Sequence, residues 1–267
     1  MCGTCGCGTD RTPHSGQADT RRLTLEERVL ARNDALAAAN RRHLADAGVR
    51  LVNLMSSPGS GKTTLLERTI RELGADWPIA VVEGDQATSH DAERIRAAGA
   101  GPGTWATSTR ENGAGQADVL QINTGDGCHL DAAMLAGALS RLRPGRGHIV
   151  FVENVGNLVC PALFDLGEND RVVVMSVTEG TDKPVKYPRI FAVADLVLIN
   201  KVDLLPYVDF DLTECRRLIR SVSPDSRSVP VSATTGEGFE AWYEWLLPHP
   251  GRTVGKNRAT FGSRAVG

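Results

Sequence analysis

Three observations in the sequence predict an α/β fold, a mainly parallel, doubly wound P-loop NTPase sheet with helices on both faces. Residues 51–64, LVNLMSSPGSGKTT, join an apolar run to a Gly/Ser/Pro loop, and Leu65, Leu66, Thr69 and Ile70 continue at helical spacing. Residues 171–177 form a nearly continuous apolar run, the pattern of a parallel strand buried on both faces. The other apolar runs end in short loops carrying acids, amides, Cys and His, and in a doubly wound sheet ligands gather beyond the carboxyl ends of the strands.

With 267 residues and 41% apolar content, the chain reads as one domain with tails. A P-loop domain is expected over 23–247, a flexible metal-binding segment and tether over 1–22, and a disordered, Gly-rich basic tail over 248–267. The formal charge of −2 gives no reason to expect nucleic acid, and no stretch approaches the ~18 uninterrupted apolar residues of a membrane span. The first residues lack the apolar centre of a secretory signal, so a cytoplasmic location is expected. The six cysteines then read as thiols or metal ligands rather than disulfides.

Cys2, Cys5 and Cys7 fall at the start with nothing apolar to bury them, and Gly3, Gly6 and Gly8 leave the chain free to wrap one soft or borderline metal ion. With Met1 removed, the amine of Cys2 would join the three sulfurs, a donor set suited to square-planar Ni(II) and acceptable to tetrahedral Zn2+. Residues 9–22 are polar, with Pro13 and Gly16, and read as the tether. Thr24 with Glu27 forms a capping-box pattern, and Leu25, Val29, Leu30, Leu36, Ala37 and Leu44 predict a helix running to Gly48.

In the loop after the first strand, Gly59 and Gly61 let backbone N–H groups converge, and the following helix N-terminus adds partial positive charge. A polyphosphate is therefore expected against Gly59, Ser60, Gly61, Lys62, Thr63 and Thr64, with Lys62 on the β- and γ-phosphates and the Thr63 hydroxyl on Mg2+. The loose pattern opens on Gly, whereas Ser56 stands at that position here. Residues 79–82 form a short strand ending in Glu83-Gly-Asp-Gln86, where Asp85 is placed to hold Mg2+ or orient water; taken alone it reads equally as a solvated turn acid. Ser89 opens a helix with Ala92, Ile95 and Ala98, residues 99–115 are a Gly-rich connection, and 119–122 give the next strand.

Cys128 and His129 are adjacent metal-type side chains in the loop before the helix of Leu135, Leu139 and Leu142. The run 148–153 ends at Glu153, a second carboxylate facing Mg2+, and Cys160 follows in the next loop, so Cys128, His129 and Cys160 are expected to converge near the phosphates. Asp182 and Lys183 read first as surface charges, with a nucleotide or second-subunit contact as the alternative. Residues 195–203 give a strand ending in Asn-Lys-Val-Asp. Asp203 can accept hydrogen bonds from guanine N1–H and N2–H2, Lys201 can lay its stem across the base, and Asn200 can tie the loop to its neighbours. The base is therefore guanine. Leu204, Leu205, Tyr207, Val208 and Phe210 are either core cover or a subunit contact. A helix over 212–222 carries Cys215 as a buried thiol, and a last strand over 229–234 offers backbone N–H groups at Ser232 and Ala233 to guanine O6. Phe239, Trp242, Trp245 and Leu246 form the packing face of the final helix.

With these motifs in place, the chain resembles the HypB family of hydrogenase nickel-incorporation GTPases, in the dimerising branch of P-loop GTPases. The resemblance spans residues 25–247 and rests on the phosphate loop, the Asn200-Lys-Val-Asp203 box, Gly127-Cys-His-Leu-Asp131 and Glu153-Asn-Val-Gly-Asn-Leu-Val-Cys-Pro161; the terminal cysteines resemble those of members with an additional tight nickel site. It implies slow hydrolysis of GTP to GDP and phosphate, GTP-linked homodimerisation, and delivery of Ni(II) to the immature large subunit of [NiFe]-hydrogenase with a zinc-binding partner, HypA. Carried over, it assigns catalysis to Lys62, Asp85 and Glu153, Mg2+ to Thr63, Asp85 and Glu153, and a nickel or zinc site at the dimer interface to Cys128, His129 and Cys160. Only His14 stands where some relatives carry a His-rich store, so high-capacity storage is not expected. A urease-type nickel GTPase is the alternative within the class; a metal chaperone with a relic nucleotide pocket and a small-molecule kinase are the alternatives outside it.

Overall fold

The computed structural model describes residues 15–85, 90–99, 118–125 and 127–247. Cys2, Cys5, Cys7, most of the Gly-rich connection, Ser89 and the basic tail lie outside the described residues. In chain order the elements are α1 (Ser15–Ala47), β1 (Arg50–Ser56), α2 (Lys62–Leu73), β2 (Ile79–Asp85), α3 (His90–Gly99), β3 (Asp118–Asn123), α4 (Ala132–Leu142) and β4 (Ile149–Gly156). A 3-10 turn at Cys160–Ala162 leads to β5 (Asp170–Ser176) and a second such turn at Val177–Glu179. Then come α5 (Lys183–Lys186), α6 (Pro188–Ala192), β6 (Leu196–Asn200), a 3-10 segment Val202–Tyr207, α7 (Leu212–Val222), β7 (Arg227–Pro230) and α8 (Phe239–Leu246).

The seven strands form one sheet in the order β3-β2-β4-β1-β5-β6-β7, with every described pairing parallel. Alternation along the strands divides the core between two faces. Val52, Leu54, Val81 and Phe151 pack toward α2 and α8, where Trp242 is fully buried and its indole N–H donates to Thr69 Oγ1 at 3.0 Å. On the opposite face Leu51, Val82, Val150 and Val152 meet Leu44 of α1 and Leu135 and Leu139 of α4, while Val173, Val197 and Ile199 meet Phe191 and Ile219.

Four sequence expectations change. Helix α1 begins at Ser15, so residues 15–22 are helical rather than a tether and Thr24 lies inside the helix instead of capping it. No Gly or Pro interrupts residues 17–47, and an uninterrupted run of helix formers outweighs one capping pattern. Strand β4 continues past Glu153 to Gly156, because Gly156 still pairs with Ser56 across a register shift in β1. Strand β7 ends at Pro230, ahead of Ser232. The apolar connection divides: Leu204, Leu205, Val208 and Phe210 pack on the core, whereas Tyr207 is 82% exposed. Among the described residues no helix is long and apolar enough to cross a membrane.

Candidate functional site

Strand β1 delivers the chain to a loop in which Gly59 (φ +73°) and Gly61 (φ +95°) adopt the left-handed conformation. A Cβ on Gly61 would lie 2.5 Å from Asn200 Nδ2, so the phosphate loop and the base loop are in contact at a position only glycine fits. The Lys62 ammonium donates to Ser56 Oγ at 2.6 Å; the serine that departs from the glycine pattern gives the lysine a partner within the chain. Burial pulls the Lys62 ammonium below its ordinary range, against the opposing pull of Glu153, Asp91, Glu179 and Glu83. The Ser57 hydroxyl bonds Glu179, which also accepts from the Ser176 N–H and pairs with Lys183 at 3.5 Å. Lys183, first read as a surface charge, thus leans toward the phosphate loop, while Asp182 pairs with Lys186 at 2.7 Å on the surface. Arg94 of α3 ties itself to Thr64 Oγ1 (3.2 Å) and Glu67 (3.0 Å) on α2.

Thr63 Oγ1 donates to Glu153 Oε1 at 2.7 Å, and the buried Glu153 Oε2 has no hydrogen-bond partner among the described residues. Burial pushes the Glu153 carboxyl up to about 7, with Lys62 and the Thr63 hydroxyl pulling the other way. A hydroxyl beside a half-satisfied buried carboxylate is a hard-oxygen pair that fits Mg2+. Asp85 is the last residue of β2; its side chain lies outside the described residues. Sequence reasoning passed over Glu83, which is buried and stands in register with Glu153 across β2 and β4. Its signal was an acid closing an otherwise apolar strand run.

At the base loop, Asn200 Nδ2 donates to Ser60 O at 2.9 Å and Lys201 Nζ donates to Gly59 O at 2.7 Å, so both residues brace the phosphate loop. The Ser232 hydroxyl donates to Asp203 Oδ1 at 2.6 Å and orients the carboxylate expected to read guanine. The N–H groups of Ser232 and Ala233 were expected to face guanine O6. Instead they donate to Glu237 O at 2.9 Å and Asn200 Oδ1 at 3.1 Å, because the turn after β7 closes on itself and on β6.

The three internal metal-type side chains do converge. One donor atom each from Cys128, His129 and Cys160 fits within 4.8 Å of the others. The two sulfurs are 2.7 Å apart as free thiols, and His129 Nδ1 is 3.6 Å from Cys128 Sγ. The hydrogen bond to Cys160, then burial, hold the Cys128 thiol above its ordinary range, and burial lowers the His129 imidazole. Phe164 stacks on the imidazole at 3.8 Å between ring centroids. Two sulfurs and an imidazole suit a borderline or soft ion such as Ni(II) or Zn2+. Cys215 stands apart, fully buried with Sγ 3.8 Å from Met175 Sδ.

Comparison with known proteins agrees with this architecture. The nucleotide-binding domain of the CobW/HypB/UreG family matches residues 50–230. The hydrogenase maturation factor HypB of Azotobacter vinelandii is 49% identical over 90% of this chain and 74% of its own length. The crystal structure of hydrogenase maturation factor HypB from Archaeoglobus fulgidus superposes with a TM-score of 0.70 at 40% identity, over 81% of this chain and 97% of that one. HypB from Helicobacter pylori, solved in complex with nickel, gives a TM-score of 0.71 at 34% identity over 80% and 93% of the two chains. The chain belongs to the HypB family of hydrogenase maturation factors, within the CobW/HypB/UreG nucleotide-binding proteins.

Proposed function

We propose that the protein is a GTPase that carries Ni(II) to the immature large subunit of [NiFe]-hydrogenase, in the cytoplasm and together with HypA. The observation that carries this reading is the meeting of Cys128, His129 and Cys160 on two loops, one that follows the strand bearing Glu153 and one hydrogen-bonded to that strand from Leu130 N–H to Asn154. The nickel in the Helicobacter pylori relative supports nickel as the cargo. Three donors leave a four-coordinate ion one short, which favours a homodimer in which a second copy helps to complete the site. Cys2, Cys5 and Cys7 are proposed as a separate nickel site and Asp203 as the guanine reader.

Thr63, Glu153 and Asp85 would hold Mg2+, which when bound offsets charge on the β- and γ-phosphates. On GTP binding Lys62 exchanges Ser56 for phosphate oxygens and Thr63 releases Glu153, so β4 and the loop reaching Cys160 feel the nucleotide. Loss of the γ-phosphate, and then of GDP, lets those bonds re-form. The test is a nickel titration of the full chain with Cys2, Cys5 and Cys7 changed to Ala, in GTPγS and in GDP. Affinities differing by ~5–150-fold are expected, and equal affinities would overturn the coupling.

A further inference from the structure

The two loops that bring Cys128, His129 and Cys160 together are not bonded to each other alone; both are fastened to one helix. Asn33 of α1 accepts a hydrogen bond from the Ala132 N–H at 2.9 Å and donates to Asp165 O at 2.8 Å. Ala132 opens α4 directly after the loop of Cys128 and His129, and Asp165 lies in the loop that follows Cys160. Two helical turns on, Asn40 repeats the arrangement by donating to Ala132 O at 2.9 Å and Leu166 O at 3.0 Å. Both asparagines are buried. Gly167 brings the second loop against α1 so closely that a Cβ there would stand 2.4 Å from Ala37 O. Arg41 adds an ion pair in which its Nη2 donates to both oxygens of the Asp165 carboxylate at 2.8 Å. Phe164, next to Asp165, is the ring stacked on His129. The helix is therefore bonded to both loops, one of which carries the ring that stacks on the imidazole.

We propose that Asn33 and Asn40 are positioning residues of the internal metal site: each bridges the two ligand-bearing loops and keeps the sulfur and nitrogen donors within reach of one ion. The inference rests on the reading of Cys128, His129 and Cys160 as a metal site. Neither asparagine touches the metal. A helix asparagine with nothing to bridge is a poor helix former and leaves a buried amide to satisfy, so two of them, one face apart by two turns and both spanning the same loops, are built for the spanning.

The experiment uses the full chain with Cys2, Cys5 and Cys7 changed to Ala and titrates it with nickel(II) alone, following the sulfur-to-nickel absorption band. Asn33→Ala is expected to weaken nickel binding ~10–100-fold and to change the band at saturating nickel, the size usual for groups that orient metal ligands. Asn33→Asp, which keeps the acceptor for Ala132 but turns a buried carboxylate oxygen onto the Asp165 carbonyl oxygen, should bind nickel no better than Asn33→Ala. Leu246→Ala, in α8 on the opposite face of the sheet, should lower thermal stability and leave nickel affinity and the band unchanged. Parental affinity and an unchanged band in Asn33→Ala would overturn the proposal, as would an equal loss in Leu246→Ala. If Asn33→Ala does not fold, Asn33→Asp and Asn40→Ala are read by the same criteria. Cys160→Ala separates the two levels: parental nickel affinity there sinks the metal reading itself, whereas a loss there with no effect at Asn33 sinks only the clamp.

Discussion

At the carboxyl end of β4 two neighbouring side chains turn to opposite faces: Glu153 meets Thr63 at the phosphate loop, and Asn154 accepts from the Leu130 N–H at 3.2 Å beside the metal loop. The nucleotide end is dense with bonds made inside the chain, since Lys62 is held by Ser56, Lys201 by Gly59, Asn200 by Ser60 and Asp203 by Ser232. The metal end has three donors, of which Cys128 is held in its protonated form and His129 in its neutral form. A nucleotide must therefore displace protein hydrogen bonds, whereas a metal ion must displace protons. The first competition is settled by conformation and the second by pH, and β4 is where they touch.

The comparison breaks most visibly at Lys62. Lys62→Ala should lower GTP turnover ~100–1000-fold, the scale of losing one charged group aimed at a developing oxyanion, as read by phosphate release. Nickel affinity of the internal site without nucleotide should stay at the parental value. A fall in both would show that the two faces are a single cooperative unit.

Cys160→Ala reverses the pattern. Internal nickel affinity should drop by at least ~100-fold, beyond the ~10–100-fold typical of a residue that only supports a ligand, while GTP binding stays within a few-fold of the parent. Nickel affinity of the unaltered protein should also climb as pH rises, because the raised Cys128 thiol gives up its proton more readily there. A flat profile over roughly pH 6–8 would mean that protons are not the competitor.

What could be read in advance follows the same division. The phosphate loop and the Asn-Lys-Val-Asp box are contiguous, so their chemistry shows in a few adjacent letters, and α8 was visible because Phe239, Trp242, Trp245 and Leu246 keep a helical period. Cys128, His129 and Cys160 were legible as types, and a strand-end rule placed them together. Asn33, Asn40 and Asn154 were not legible, since each works through backbone groups far away in sequence and an asparagine in a helix or strand carries no sign of its partner. Glu83 was overshadowed by Asp85 two positions later. The amide of Ala233 was given to the base because the motif suggested it, while the folded turn gives it to Asn200.

A smaller effect tests whether the nucleotide end is held under electrostatic tension when no ligand is bound. Burial lifts Glu153 from an ordinary 4.5 to about 7, so the folded chain keeps a proton that the unfolded chain has lost between those values. The associated stability is full below the ordinary carboxyl range and disappears as pH rises toward 7. Glu153→Gln removes that dependence, so without Mg2+ and nucleotide it should melt higher than the parent at pH ~8 by the equivalent of on the order of 1–3 kcal/mol, with the gap closing near pH ~4.5. Parallel melting curves across that range would show that Glu153 ionises freely in the folded chain.

The smallest effect concerns the thiol that sits on the metal-loop side of the sheet yet takes no part in either end. Cys215 in α7 is fully buried against Met175, and burial pushes its thiol up to about 12. A thiol held so far from its thiolate is a poor ligand and a poor nucleophile. Cys215→Ala should therefore lower stability by only ~1 kcal/mol, through lost packing, and leave nickel affinity and GTP turnover unchanged. In the folded protein an alkylating reagent should label Cys128 and Cys160 and spare Cys215, with nickel protecting the first two, as mapped by mass spectrometry. Loss of nickel binding in Cys215→Ala would extend the metal end into the core behind β5 and β6, and the division between a displaceable proton and a displaceable hydrogen bond would no longer follow the two faces of β4.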